Sequence, residues 1–312
     1  MGVFVFLPLV LPLTAWPVAR LAEQHLHPRT ATRLLTGVAG VMALCSTVCL
    51  GLVMVVGTAQ LPGNPLPDGW SDPEVRAAVP YDEVVGKAAI PALVAVVVLC
   101  ARVLWRHGKM RRQAHRALVG LPGASQVAVV PDDSPYAYAV PGGERGGRVV
   151  VTTGLLGRLT SAERRALFAH ERAHLTARHH RFLLVTQLAA AANPFLLPLR
   201  TAVSYTTERW ADEEAAHAVG DRRTVARAIG RAALVTRAAP WPAPAGFAVP
   251  GPVPRRVAAL LGPAPAARGR PPLFTAVGLA AWTAAAGTAA SAMSSANSAV
   301  TMVLILHAAT PL

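Results

Sequence analysis

The chain has 312 residues, 53% of them hydrophobic and only 15% charged, with a mean hydropathy of +0.40, which excludes an ordinary soluble enzyme. A formal charge of +14 allows nucleic-acid binding in principle, but the basic residues cluster beside apolar runs and no DNA-binding motif is present. Attraction to anionic lipid headgroups accounts for the charge better, and no direct nucleic-acid partner is expected.

From the N-terminus, three apolar stretches read as membrane spans, at about residues 3–18, 35–58 and 88–105. The first carries Pro8, Pro12 and Pro17 and lacks a basic leader, so it reads as an anchor rather than a cleaved signal. Cys45, Cys49 and Cys100 all fall within spans, which leaves no disulfide framework and no cysteine zinc site. Arg20, Arg29 and Arg33 follow the first span, and Arg106, Lys109, Arg111, Arg112 and Arg116 follow the third. The second connection is instead acidic, with Asp68, Asp72, Glu74, Asp82 and Glu83. Positive-inside bias therefore places the N-terminus and the acidic connection outside, and everything after the third span in the cytoplasm.

Next comes Arg148-Val149-Val150-Val151-Thr152-Thr153, a β-branched run between Gly147 and Gly154 that reads as a strand. The edge of such a strand can align an extended peptide through main-chain hydrogen bonds. Thr160-Ser161-Ala162-Glu163 is a capping box, and the helix it starts reaches His170-Glu171-Arg172-Ala173-His174. Histidines four apart on a helix stand about 40° apart around the axis, so both imidazoles can reach one zinc ion. The intervening Glu171 is then placed to act as general base on an attacking water.

A catalytic zinc needs a third protein ligand. His180 lies at a spacing similar to that of metzincins, but Ala177 stands where that pattern has its helix-breaking glycine. On a continuing helix His180 would be about 15 Å from His170 along the axis and about 80° around it. Glu208 is favoured. Asp212 follows it on the same helical face, placed to receive the outer N–H of a ligand histidine. A basic helix end explains His179 and His180 better than metal binding does. His217 and Tyr205 are weak candidates for an oxyanion donor, and a structural role is favoured for each. Between the two halves of the site, the apolar run Phe182 to Leu199 is interrupted by Asn193-Pro194. A single crossing there would strand Glu208 opposite His170. The run is therefore expected to be a buried or membrane-dipping segment that doubles back. Residues 239–272 read as a Pro/Ala-rich linker in which Arg255 to Leu261 can make one short helix. Residues 273–312 read as a C-terminal membrane segment, long enough for one span plus more or for a loose hairpin.

The runs Val149 to Leu156, Leu159 to Glu163 and Ala169 to His174, followed by Glu208, Ala211, Asp212 and Ala215, resemble the membrane gluzincin peptidases. The closer resemblance is to the BlaR/MecR-type antirepressor metallopeptidases, with the heat-shock and CAAX-processing membrane proteases as a sister group. The resemblance covers roughly residues 130–262. It implies zinc as cofactor, His170, His174 and Glu208 as its ligands, and Glu171 as base. No Ser-x-x-Lys motif of a penicillin-binding sensor follows. The expected protein is a mostly α, multi-pass membrane protein with a small-sheet α+β gluzincin domain. Its expected layout is a membrane region at 1–105, a cytoplasmic peptidase at 106–238, the linker at 239–272 and the C-terminal segment at 273–312. The expected activity is zinc endopeptidase at the bilayer, acting on a cytoplasmic repressor or on itself. Membrane-protein quality control and a non-catalytic signalling role are the alternatives.

Overall fold

Apolar runs and prolines shape the first third of the molecule. The computed structural model describes residues 2–118, 126–142, 147–237, 252–265 and 275–310. Pro8, Pro12 and Pro17 each withhold a backbone N–H. The first span accordingly winds as a 3-10 turn, α1 (Leu7–Val10), a second 3-10 turn and α2 (Ala15–His25). Pro28 opens α3 (Pro28–Ala59), where His27 Nδ1 accepts from the Arg29 N–H. After α4 (Pro73–Ala77) comes α5 (Asp82–Leu118). At the far end of the chain, residues expected to form one span or a hairpin make a single helix, α12 (Ala276–Ala308). Its Ala-rich sequence contains no proline to turn it.

Among the described residues, four stretches are long and apolar enough to cross a membrane: Phe4–His25, Pro28–Ala59, Asp82–Arg116 and Ala281–Ala308. The first three contain the expected spans and run past them, because a helix once nucleated continues through polar residues. In particular, α5 passes unbroken across residues 105 and 106, the expected boundary between the membrane region and the peptidase. The spans pack around α3. It crosses α5 where Gly57 faces Gly86, so closely that a Cβ on Gly57 would fall on the Gly86 backbone. Met302 of α12 joins Cys49, Val53 and Val56 of α3 in one buried cluster.

The remaining elements build the site. A three-stranded sheet has the order β1-β3-β2, with β1 (Val127–Val130), β2 (Ala137–Val140) and β3 (Arg148–Thr152). β3 is the expected strand. It pairs parallel to β1, with Val127 opposite Val149, and antiparallel to β2, with Ala137 opposite Val151. Both of its edges are therefore used, and it cannot align a substrate strand as the sequence suggested. Its buried valines explain the central place. The outer strands are β1 and β2, and it is β2, a short strand with little sequence signature, that borders the site.

Thr152 caps α6 (Thr153–Gly157), and the expected capping box of Thr160 and Glu163 starts α7 (Ser161–Thr176). The next helix, α8 (His179–Ala192), begins only after Arg178 adopts a left-handed conformation, φ 54° and ψ 44°. Asn193 and Pro194 then turn the chain, and α9 (Leu197–Val219) runs back, as the interrupted apolar run implied. Leu196, Leu199, Ala202 and Val203 pack with Leu35, Val38, Ala39 and Met42, so the α8–α9 hairpin lies along α3. A buried hydrogen bond between the Thr32 and Thr206 hydroxyls, 2.9 Å, ties the two helices together. Two more helices cover α9: α10 (Arg222–Arg237) and α11 (Val253–Leu261), the short helix expected within the linker. The rest of that Pro/Ala-rich stretch, 239–251 and 266–272, lies outside the described residues.

Candidate metal centre

The doubling-back of α9 against α7 brings the expected site residues together. On α7, the Nε2 atoms of His170 and His174 are 3.1 Å apart. Glu208 on α9 places Oε2 3.6 Å from His170 Nε2 and Oε1 3.5 Å from His174 Nε2. Nitrogen and oxygen ligands at about 2.0–2.2 Å from a tetrahedral zinc stand roughly 3.3 Å from one another. The observed triangle therefore fits such an ion. It is also the group of side chains, among the described residues, whose geometry could hold a metal. Asp212, one turn beyond Glu208 and fully buried, places Oδ1 3.1 Å from His170 Nδ1.

Three features were not legible in the sequence. The first is Arg256, delivered by α11 from the stretch read as linker. Its Nε and Nη2 donate to the two Asp212 oxygens at 2.9 and 2.6 Å, and its Nη1 lies 2.8 Å from Glu208 Oε2. The signal available was the short amphipathic helix itself, with an arginine on its inner face. The second is His179. The left-handed Arg178 ends α7 without a glycine and turns His179, not His180, toward the site. His179 is completely buried, and its Nδ1 lies 2.9 Å from His174 Nδ1. The third is the β2 edge, where the Ala139 backbone hydrogen-bonds to Glu171. His180 remains outside the cluster, its protonation depressed to about 4 by burial and then by Arg111 and Arg181. His217 is exposed, and Tyr205 is buried under Arg255, whose guanidinium carbon lies 4.2 Å from the ring centroid. Neither lines the cavity described below.

The charges are arranged for a cation. Burial by itself would lower the His170 pKa, but Asp212 and Glu208 outweigh it and push it up to about 10. His174 goes the other way, down to about 4, because burial dominates over Glu208. Burial works against ionisation of Glu208 and Asp212, yet Arg256 and the histidines hold both well below the usual carboxylate range. Two carboxylates against one guanidinium leave one negative charge where the imidazoles converge, and a proton on His170 balances it. Glu171 differs: burial raises its pKa, with its charged neighbours smaller influences. Glu171 and Glu208 thus share one cavity in different electrostatic surroundings.

That cavity has a volume of about 800 Å³. One flank is the β2 edge at Ala137 to Ala139 with His107 and Met110 of α5, and another is the α8 face of Leu183, Leu184 and Gln187. A further wall is α10, with apolar residues such as Ala228 and Ile229. An extended chain with apolar side chains fits such a cleft, with main-chain groups for β2 and apolar walls for its side chains.

Comparison with known proteins agrees with this geometry. The chain is 29% identical over 105 residues to Protease HtpX of Pseudoalteromonas atlantica, covering 34% of this chain and 34% of that protein. It is 32% identical over 106 residues to a Protease HtpX homolog of Herminiimonas arsenicoxydans, again covering 34% of each. The matched part thus spans about a third of the length of these curated relatives. No solved structure matches. Residues 101–192 match the model of peptidase family M48. That segment includes both histidines and Glu171 but stops short of Glu208, Asp212 and Arg256, whose place in the site rests on the fold. Over that segment, with the paired histidines of α7 inside it, the chain is similar to the M48 membrane metallopeptidases.

Proposed function

We propose that the protein is an integral-membrane, zinc-dependent endopeptidase. The observation that carries this is the triangle of His170, His174 and Glu208 beside Glu171 in a cleft with an open strand edge. His170, His174 and Glu208 hold the ion, and Asp212 and Arg256 orient His170 and Glu208. When bound, zinc supplies Lewis-acid polarisation of the scissile carbonyl and acidifies water. The β2 edge aligns the substrate backbone, and the apolar walls of α8 and α10 take its side chains. Glu171, largely screened from solvent and raised in pKa, takes a proton from the attacking water and returns it to the departing amine.

The apolar helices beside the cleft favour substrates that are themselves membrane proteins, the quality-control reading. A cytoplasmic repressor, the finer reading from the BlaR/MecR resemblance, or self-cleavage would use the same cleft. The peptidase half faces the cytoplasm in this reading. The test is proteolysis of an unfolded membrane-protein substrate by the purified, detergent-solubilised chain. Cleavage is expected to require the metal, to stop on chelation and to return with added zinc. A wild-type preparation that binds no zinc and cleaves nothing after zinc is added would overturn the reading.

A further inference from the structure

We infer that His179 is a positioning residue for the metal centre: it accepts a hydrogen bond from His174 Nδ1 and so fixes the tautomer in which His174 Nε2 is free to bind the ion. The inference rests on the metallopeptidase reading above and concerns one residue that neither the motif nor the ligand triangle contains.

The argument begins with the two rings. His174 turns Nε2 toward His170 and Glu208, so its Nδ1 must carry the proton. A ligand imidazole is normally held by a partner on its other nitrogen. For His170 that partner is Asp212. For His174 the partner in reach is His179 Nδ1, at 2.9 Å, with the rings edge to face at a centroid distance of 4.8 Å. Two imidazoles can share that contact in only one way here. If His179 were the donor, the His174 proton would sit on Nε2 and block the ligand position. His179 must therefore accept at Nδ1 and keep its own proton on Nε2.

That Nε2 is buried and has no hydrogen-bond partner among the described residues. A leucine of similar bulk would not leave a polar group stranded there, so packing alone gives no reason for an imidazole. The ring is also held in one orientation. Trp210 lies 4.7 Å from it and Phe182 6.5 Å, centroid to centroid. Trp210 is in turn faced by the guanidinium groups of Arg29 and Arg33, 5.5 and 5.6 Å from its ring. Those arginines belong to the first turns of α3, so the beginning of a membrane-spanning helix braces the ligand His174 through two intervening rings.

The experiment compares His179→Leu with His179→Asn. Asparagine can present its Oδ1 near the place of the imidazole Nδ1, whereas leucine offers no acceptor. Zinc affinity is measured by chelator competition on the detergent-solubilised full chain, and the cobalt-substituted protein is examined by visible absorption. We expect His179→Leu to weaken the metal about 10–100-fold and to change the cobalt spectrum. His179→Asn is expected to stay within a few-fold of wild type, with the wild-type spectrum. Thermal unfolding of the metal-free proteins monitors the fold. If His179→Leu does not fold, His179→Gln, whose acceptor is displaced by one methylene, takes its place with the same expectation. Wild-type affinity and spectrum in His179→Leu would overturn the inference, as would equal loss in folded Leu and Asn variants. In both cases wild type still binds zinc and the metallopeptidase reading stands. A wild type that binds no zinc would overturn both.

Discussion

Glu171 and Glu208 are carboxylates on one cavity, and their neighbours give them different work. Arg256 holds Glu208 ionised beside the imidazoles, whereas burial raises the pKa of Glu171. Replacing Glu171 with Gln keeps the shape and removes the proposed base. Peptide cleavage is expected to fall by about 10²–10⁴-fold or more while zinc content stays at the wild-type level, as read by metal analysis and peptide turnover. Glu208→Ala is expected to lose the metal, and His180→Ala to keep it. The opposite pattern in the metal content of the two purified variants would move the third ligand to the histidine. Both histidines and Glu171 were legible from spacing alone, because a helix fixes which residues share a face over one turn. Glu208 was legible only as half of an i, i+4 acidic pair.

At the scale of elements, the helix that carries His170 and His174 depends on how it starts. The Thr160 hydroxyl accepts from the Glu163 N–H, and the Glu163 carboxylate accepts from the Thr160 N–H at 2.8 Å and from Arg231 at 2.9 Å. Thr160→Ala is expected to lower stability by about 1 kcal/mol, visible as a lower melting temperature in detergent. Burial would raise the Glu163 pKa, but its bonds with Thr160 and the charge of Arg231 outweigh that and depress it. A depressed carboxylate stabilises the fold above its unfolded pKa, near 4.5, and that contribution is lost as pH falls through the lower folded value. The melting temperature of wild type is therefore expected to fall in acid more steeply than that of Glu163→Gln. Parallel curves for the two proteins would show that the carboxylate contributes nothing to this dependence. The capping box could be read in the sequence because it is a local pattern. The end of the same helix could not: Arg178 holds a left-handed conformation that costs a non-glycine residue about 1–2 kcal/mol and that only the surrounding packing maintains.

Across the whole molecule, cations paired with exposed indoles suit the membrane boundary of the proposed topology. Arg20 lies over the Trp16 ring in α2 and Lys109 over the Trp105 ring in α5, each cation one turn beyond an exposed indole. The tip of the α8–α9 hairpin exposes Phe195 and Leu197 alongside α3, in keeping with a segment that dips into the bilayer and returns. The proposed topology has the acidic connection outside and the peptidase in the cytoplasm. Single cysteines in a chain lacking Cys45, Cys49 and Cys100 test it in intact cells. An impermeant maleimide is expected to label Asp72→Cys and to spare Arg165→Cys, both exposed positions. Labelling of Arg165→Cys with protection of Asp72→Cys would turn the cleft outward, and a cytoplasmic substrate would be lost.

The sequence by itself determined whatever depends on near neighbours along the chain. The apolar spans, the capping box, the paired histidines with Glu171 between them, and the strand at Val149 to Val151 all follow from periodicities of a few residues. Tertiary structure decided what depends on which elements meet. The α8–α9 hairpin carries Glu208 and Asp212 back to α7. Pairing on both edges of β3 leaves the outer strands as the sheet's edges, and packing puts β2 beside the cavity. Arg256 crosses from a Pro/Ala-rich stretch 44 residues beyond Asp212 to clamp it. A residue's charge and type are written in the chain, but its partner across such a distance is chosen by packing, because only burial against α7, α9 and α11 removes the water that would otherwise satisfy these groups singly.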